Sequence, residues 1–215
     1  MHEVVVDGVA YSPRSEALPN VGVAITTKDR DDTFRDCLER VRARTPASFP
    51  IVIVDDGSAK PVEGATVRHD KSQGIPVAKN ACLAALMDLG VDHLILLDND
   101  CYPLTDDWWR PFVESPEPHL SAQFLDLTTR KLNDITVLYE DGKLQAWSGQ
   151  RGYCLYYHRS AIEAVGGFDP IYSPGLYEHS DLANPDIRSW PDYLALCVAQ
   201  GFSPPDRVTG PGGAR

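Results

Sequence analysis

Residues 94–100 read Leu94-Ile95-Leu96-Leu97-Asp98-Asn99-Asp100, an apolar run that stops at two carboxylates flanking one amide. A short continuous apolar run fits a strand covered on both faces, and Asp98 and Asp100 fall where such a strand leaves the core. Side chains two apart on a strand point the same way, so the reading predicts that both carboxylates reach one site. Converging carboxylates repel unless a positive charge lies between them, and a hard divalent cation supplies it. Asp-x-Asp is also common at strand ends that are simply solvated, so the neighbouring sequence has to decide.

Two further apolar runs end the same way. Ile51-Val52-Ile53-Val54 stops at Asp55-Asp56-Gly57-Ser58, and Val21 to Ile25 runs into Thr26-Thr27-Lys28-Asp29-Arg30. Helix-like stretches separate the runs. Open α/β sheets bind ligands in the crevice outside the carboxyl ends of their strands, so three polar strand ends predict one shared crevice.

The chain has 215 residues, 43% hydrophobic and 24% charged, enough for one substantial core. The formal net charge of −11 argues against a nucleic-acid polymer as partner, because neutralising phosphates takes clustered Lys and Arg. A nucleotide is still allowed, since a metal and one or two cations meet its few phosphates. No stretch is apolar enough to cross a bilayer, and the N-terminus lacks a signal pattern. The five cysteines (37, 82, 101, 154 and 197) lack metal-type spacing, which suits a reduced, cytoplasmic setting.

Outward from the three runs, helical spacing predicts helices over 33–44 (Phe34, Cys37, Leu38, Val41 inward) and 74–90 (Ala78, Cys82, Ala85, Leu86, Leu89 inward). A short strand is expected at 66–69, and a strand or arm within 1–20. Trp108, Trp109 and Phe112 form an aromatic cluster that packs a core or walls a pocket. The second half changes character. Ile135–Tyr139 and Leu144–Trp147 around Asp141-Gly142 read as a hairpin, 152–158 as a strand, and 160–165 as a short helix capped by Ser160. Leu194–Ala199 is read as part of a last helix, and 210–215 as a flexible tail.

In this order the pieces resemble the GT-A glycosyltransferases, specifically the family-2-like group of the nucleotide-diphospho-sugar transferase superfamily. The residues that carry the resemblance are 23–30, Val54-Asp55-Asp56-Gly57-Ser58, Gly74 with Ala78-Lys79-Asn80, Asp98-Asn99-Asp100, Gly166-Gly167-Phe168-Asp169, and Tyr177-Glu178-His179-Ser180-Asp181-Leu182. The resemblance implies an α/β, Rossmann-like single domain over 1–209. Its mainly parallel central sheet would have helices on both faces and a smaller antiparallel acceptor-side part. The nucleotide-binding half would cover about 20–105 and the acceptor side about 106–209.

It also implies roles. The donor would be a nucleotide-diphosphate sugar, UDP-linked by preference, held by Thr26, Thr27, Arg30, Asp55, Asp56, Lys79 and Asp98. Mn²⁺ or Mg²⁺ would sit on Asp100, with Asp98 bound to the ribose or to the metal through water. The acceptor, whether glycan, protein or small molecule, is not readable. Glu178, His179 and Asp181 stand at the family's catalytic segment, with His179 where relatives carry a carboxylate base. An imidazole suits proton abstraction, which favours an inverting displacement, but it serves equally as a metal ligand or a structural group. Pro185 departs from the family pattern too. Other readings stay open: a degenerate nucleotide-sugar-binding protein without turnover, or a sugar-phosphate nucleotidyltransferase. Against the latter, residues 26–30 lack a glycine-rich loop. Asp55-Asp56-Gly57-Ser58 is also, taken alone, ordinary turn chemistry.

Overall fold

The computed structural model describes residues 4–6, 9–11, 18–123, 137–140, 144–147, 152–175 and 195–199. In chain order the elements are β1 (Val4–Val6), β2 (Val9–Tyr11), β3 (Val21–Thr27), α1 (Asp31–Arg44), β4 (Ile51–Asp55), β5 (Val67–Arg68), α2 (Ile75–Asp88), β6 (His93–Asp98), α3 (Arg110–Val113), β7 (His119–Gln123), β8 (Val137–Glu140), β9 (Leu144–Trp147), β10 (Cys154–His158), α4 (Arg159–Val165) and β11 (Ala195–Ala199). Among the described residues, β1 and β2 pair only with each other, whereas the other nine strands form one sheet in the order β5-β4-β3-β6-β10-β7-β11-β9-β8.

β5, β4, β3 and β6 run parallel. β10 then lies antiparallel to both β6 and β7, β11 runs parallel to β7, and the β8–β9 hairpin closes the far edge. A parallel first half and a more antiparallel second half are those expected from the sequence.

Strand pleating sorts the apolar residues into two cores. Val21, Val23 and Ile25 of β3, Ile53 of β4 and Ile95 and Leu97 of β6 face α1, where Phe34, Cys37, Leu38 and Val41 meet them. Ala24, Val52, Val54, Leu94 and Leu96 face the opposite way onto Ala78, Cys82, Leu83 and Leu86 of α2. A continuous apolar run was the right signature because each of these strands is covered on both faces. Gly22 lets α2 press close, since a Cβ there would come 2.6 Å from Leu86 Cδ2. Acidic Asp31 and Asp32 begin α1 and basic Arg42 and Arg44 end it, complementing the helix dipole.

The aromatic cluster is packing: Trp108, Trp109 and Phe112 are buried in the α1-side core, with Trp109 edge-on to Phe49 at 5.3 Å. Two expectations need correcting. Leu194–Ala199 was read as helical, but Ala195–Ala199 is a strand between β7 and β9, because a short apolar run suits either state and pairing partners settle it. The cap of α4 is His158 rather than Ser160: its ring accepts from Ser160 N–H, doing what a cap hydroxyl would do one turn earlier. Of the hairpin turn, the residues 141–143 lie outside the described residues, as does the 210–215 tail.

The chain leaves β3 through α1 to β4 on one side and reaches β6, through α2, on the other. Strand order therefore reverses about β3, and the crevice such a reversal opens lies at the carboxyl ends of β3, β4 and β6.

Candidate active site

A cavity of about 520 Å³ occupies that position. β3 and the turn after it contribute Thr26, Thr27, Lys28 and Arg30; Asp56 directly follows β4, and Ser72 comes from the loop between β5 and α2. Gly74, Ile75 and Ala78 come from the start of α2, Asp98, Asn99 and Asp100 from the end of β6, and Pro174 from the second half of the chain.

At the end of β3, Asp29 adopts φ 52°, an uncommon left-handed value for a residue with a side chain. Two bonds hold it there: its Oδ1 accepts from Ala59 N–H at 2.7 Å and its own N–H donates to Ser58 Oγ at 3.0 Å. The reversal of the chain at Asp29 turns both Lys28 and Arg30 into the crevice, and Lys28 also pairs with the Asp29 carboxylate.

The two aspartates after β4 have different jobs. Asp55 is completely buried and accepts from Ser58 N–H at 2.9 Å, Val62 N–H at 3.1 Å and the Arg68 guanidinium. Burial alone would raise its pKa, but the hydrogen bonds from Ser58, Val62 and Arg68 outweigh it and hold the carboxyl below its ordinary value. Asp55 is not among the residues lining the crevice. Asp56 does line it, yet its oxygens already accept from His69 Nδ1 and Ser72 Oγ, both at 2.7 Å, and from Gln73 and Gly74 N–H at 2.9 and 3.0 Å. Against the burial penalty these four donors likewise keep its pKa low. Asp56 thus pins the 69–74 loop and occupies the N-terminus of α2 with its own charge. Gly57, directly after Asp56, sits at φ 70°, where a Cβ would overlap the Lys71 and Ser72 backbone.

At the end of β6 the carboxylates converge, though not by strand pleating. β6 stops at Asp98, and Cys101 N–H donates back to Asp98 C=O at 3.1 Å, so residues 98–101 form a turn. Asp98, Asn99 and Asp100 consequently all face the crevice. Asp98 is the more open, with 36% of its side chain exposed against 9% for Asp100. Arg30 Nη1 donates to Asp100 Oδ2 at 2.7 Å and to Asn99 Oδ1 at 3.3 Å, while Asn99 Nδ2 donates to Thr27 Oγ1 at 2.9 Å. Lys79, buried on α2, lies 3.6 Å from Asp98 Oδ1 and donates to Gly152 C=O at 2.8 Å. It reaches the site from behind and is not part of the lining.

The structure brings Thr26, Thr27, Arg30, Asp56, Asp98 and Asp100 to one crevice. It sets Lys79 one layer back and commits Asp55 to the turn. Glu178, His179 and Asp181 lie outside the described residues. The sequence reading assigned no role to Asn99, Ser72 or Pro174. A buried amide between two acidic residues was a signal for Asn99, and for Pro174 there was none, because it reaches the crevice only through the 169–175 segment. That segment is tied to α2 by Ile75 N–H donating to Pro174 C=O and Ser173 Oγ donating to Gln73 C=O, both at 3.0 Å.

Among the described residues no group of three or more His, Cys, Asp or Glu gathers where a metal could bind. Two carboxylates on one crevice nevertheless suit a hard divalent cation that takes its remaining ligands from phosphate oxygens and water. The donor set fits a metal completed by its substrate.

Residues 22–122 match the family model Glycosyl transferase family 2. No curated protein matches the chain by sequence. Among solved structures, the chain is similar to the mannosyltransferase PcManGT from Pyrobaculum calidifontis in complex with GDP-Man and Mn²⁺, at 16% identity and TM-score 0.57, covering 91% of this chain and 57% of that one. It is similar to GalNAc-T7 with UDP, GalNAc and Mn²⁺, at 15% identity and TM-score 0.60, covering 86% and 43%. It is similar also to TarS of S. aureus, at 12% identity and TM-score 0.60, covering 85% and 59%. The chain spans about half the length of these structures. At such identities the likeness is one of fold, and the fold is GT-A. Among the described residues no helix is long and apolar enough to cross a membrane.

Proposed function

We propose that this chain is a metal-dependent glycosyltransferase that takes a sugar from a nucleoside-diphosphate sugar, on the support of the family-model match over residues 22–122 and of the GT-A fold. The observation that supports this most is the crevice at the ends of β3, β4 and β6, lined by Asp98 and Asp100 together with Lys28 and Arg30, of which Arg30 holds Asp100. In this reading Thr26, Thr27 and Ser72 bind the nucleoside from one side, and Ile75, Ala78 and Pro174 offer it an apolar wall. Asp56 shapes that end of the crevice by holding the 69–74 loop. Lys28 and Arg30 meet the diphosphate, and Asp98 and Asp100 hold Mn²⁺ or Mg²⁺ against it. When bound, the metal supplies Lewis-acid stabilisation of charge on the leaving diphosphate.

Calorimetric titration with UDP and with GDP tests the reading. Binding of one of them is expected in Mn²⁺, with affinity lost in EDTA; equal affinity in both buffers would remove the metal from the reaction. Of the two, UDP is the donor nucleotide proposed.

We further propose His179 as the base that takes the proton from the acceptor hydroxyl, on the support of the resemblance of 177–182 to the family's catalytic segment. His179→Ala is expected to abolish transfer while nucleotide affinity in Mn²⁺ stays intact. A fall in metal-dependent affinity would make it a ligand instead, and no change in either would leave it outside the mechanism.

A further inference from the structure

We propose that Arg30 couples metal uptake to donor binding: by holding Asp100 it closes the cation site until a diphosphate draws the guanidinium away. The inference rests on the donor reading above.

Four side chains form the device. Thr27 Oγ1 accepts from Asn99 Nδ2 at 2.9 Å, which aims the Asn99 carbonyl oxygen at Arg30 Nη1, 3.3 Å away. The same Nη1 donates to Asp100 Oδ2 at 2.7 Å. Asn99 is buried and fixed, so the guanidinium is steered onto Asp100 rather than left to find it. Asp100 is thereby in direct contact with a cation.

A divalent cation approaching Asp100 therefore meets a resident positive charge. It must displace Arg30 or bind beside it, and each weakens metal binding when no nucleotide is present. A diphosphate changes the balance, because it offers the guanidinium two anionic oxygens in the fork geometry that arginine fits best. Arg30 is built to make that exchange. It is the N-cap residue of α1, with its carbonyl accepting from Phe34 N–H at 2.8 Å, so its backbone is fixed while its side chain is one-third exposed. Once the guanidinium has moved, Asp100 is released for the metal that the same diphosphate carries. By linkage, whatever factor the nucleotide adds to metal affinity the metal adds to nucleotide affinity.

The test counts free Mn²⁺ by electron paramagnetic resonance in titrations of the nucleotide-free protein, with circular dichroism to verify folding. Arg30→Gln is expected to bind Mn²⁺ about tenfold more tightly than wild type, a typical size for coupling between sites. Arg30→Lys keeps the charge and should stay near wild type, and Asp100→Asn added to Arg30→Gln should cancel the gain. Arg30→Met repeats the measurement should Arg30→Gln not fold. Unchanged Mn²⁺ affinity on loss of the guanidinium, an equal gain in Arg30→Lys, or a gain that survives Asp100→Asn each overturns the proposal. Calorimetry on the wild type separates the two levels. If neither UDP nor GDP binds in Mn²⁺, the donor reading falls and the coupling with it; if one binds and the Arg30 variants behave as wild type, the coupling alone falls.

Discussion

Asp100→Ala is expected to lower Mn²⁺-dependent affinity for UDP or GDP by about 100-fold, the equivalent of ~3 kcal/mol for a lost metal ligand. The same substitution should leave the fold nearly untouched. It removes the partner of Arg30, but that guanidinium is one-third exposed and keeps water and the Asn99 carbonyl as acceptors. Titration calorimetry beside a thermal melt separates the effects. Normal metal-dependent affinity in a folded Asp100→Ala would sink the assignment of Asp100 to the metal.

Asp55→Ala carries the opposite signature, a loss of about 1–3 kcal/mol of stability, the usual cost of leaving a buried donor without its acceptor. Asp55 is fully buried, and its removal leaves the N–H groups of Ser58 and Val62 without their acceptor, whereas the one-third-exposed Arg68 keeps water and the Ser58 carbonyl. Urea denaturation measures it, and a loss under 1 kcal/mol would show that the turn holds without Asp55. Acid should mimic the substitution. The carboxyls of Asp55 and Asp56 both titrate below their ordinary value when folded. Their stabilisation is therefore complete above the unfolded pKa and is lost as pH falls through the lower, folded values. Stability is expected to be flat on this account near neutrality and to drop below about pH 4.

Much of this was legible because the parallel strands are covered on both faces. Apolar runs at 21–25, 51–54 and 94–97 located β3, β4 and β6, and helical spacing located α1 and α2. What escaped depends on partners remote in sequence. Ala195–Ala199 became a strand because β7 and β9 lie either side of it. Asp55 and Asp56 are chemically alike in the sequence, and only the positions of Arg68 and the 69–74 loop divide them into a buried brace and a crevice wall. Asp98 and Asp100 line one crevice, but a turn, rather than the expected strand alternation, brings them there.

The place of β10 in the sheet bears on how the protein is made. β10 lies between β6 and β7, so two strands that precede it in sequence do not touch until it arrives. On the ribosome β6 stays an unpaired edge while everything up to residue 153 is synthesised, and an apolar edge of that kind invites association with other chains. The crevice itself waits as well, because Asp98 N–H needs Tyr153 C=O and Lys79 needs Gly152 C=O. The family-matched stretch 22–122 is consequently no excisable module, since cut at residue 122 it lacks the strand that seals its own sheet. Such long-range closure predicts slow folding, and a nascent chain that depends on shielding until its second half emerges.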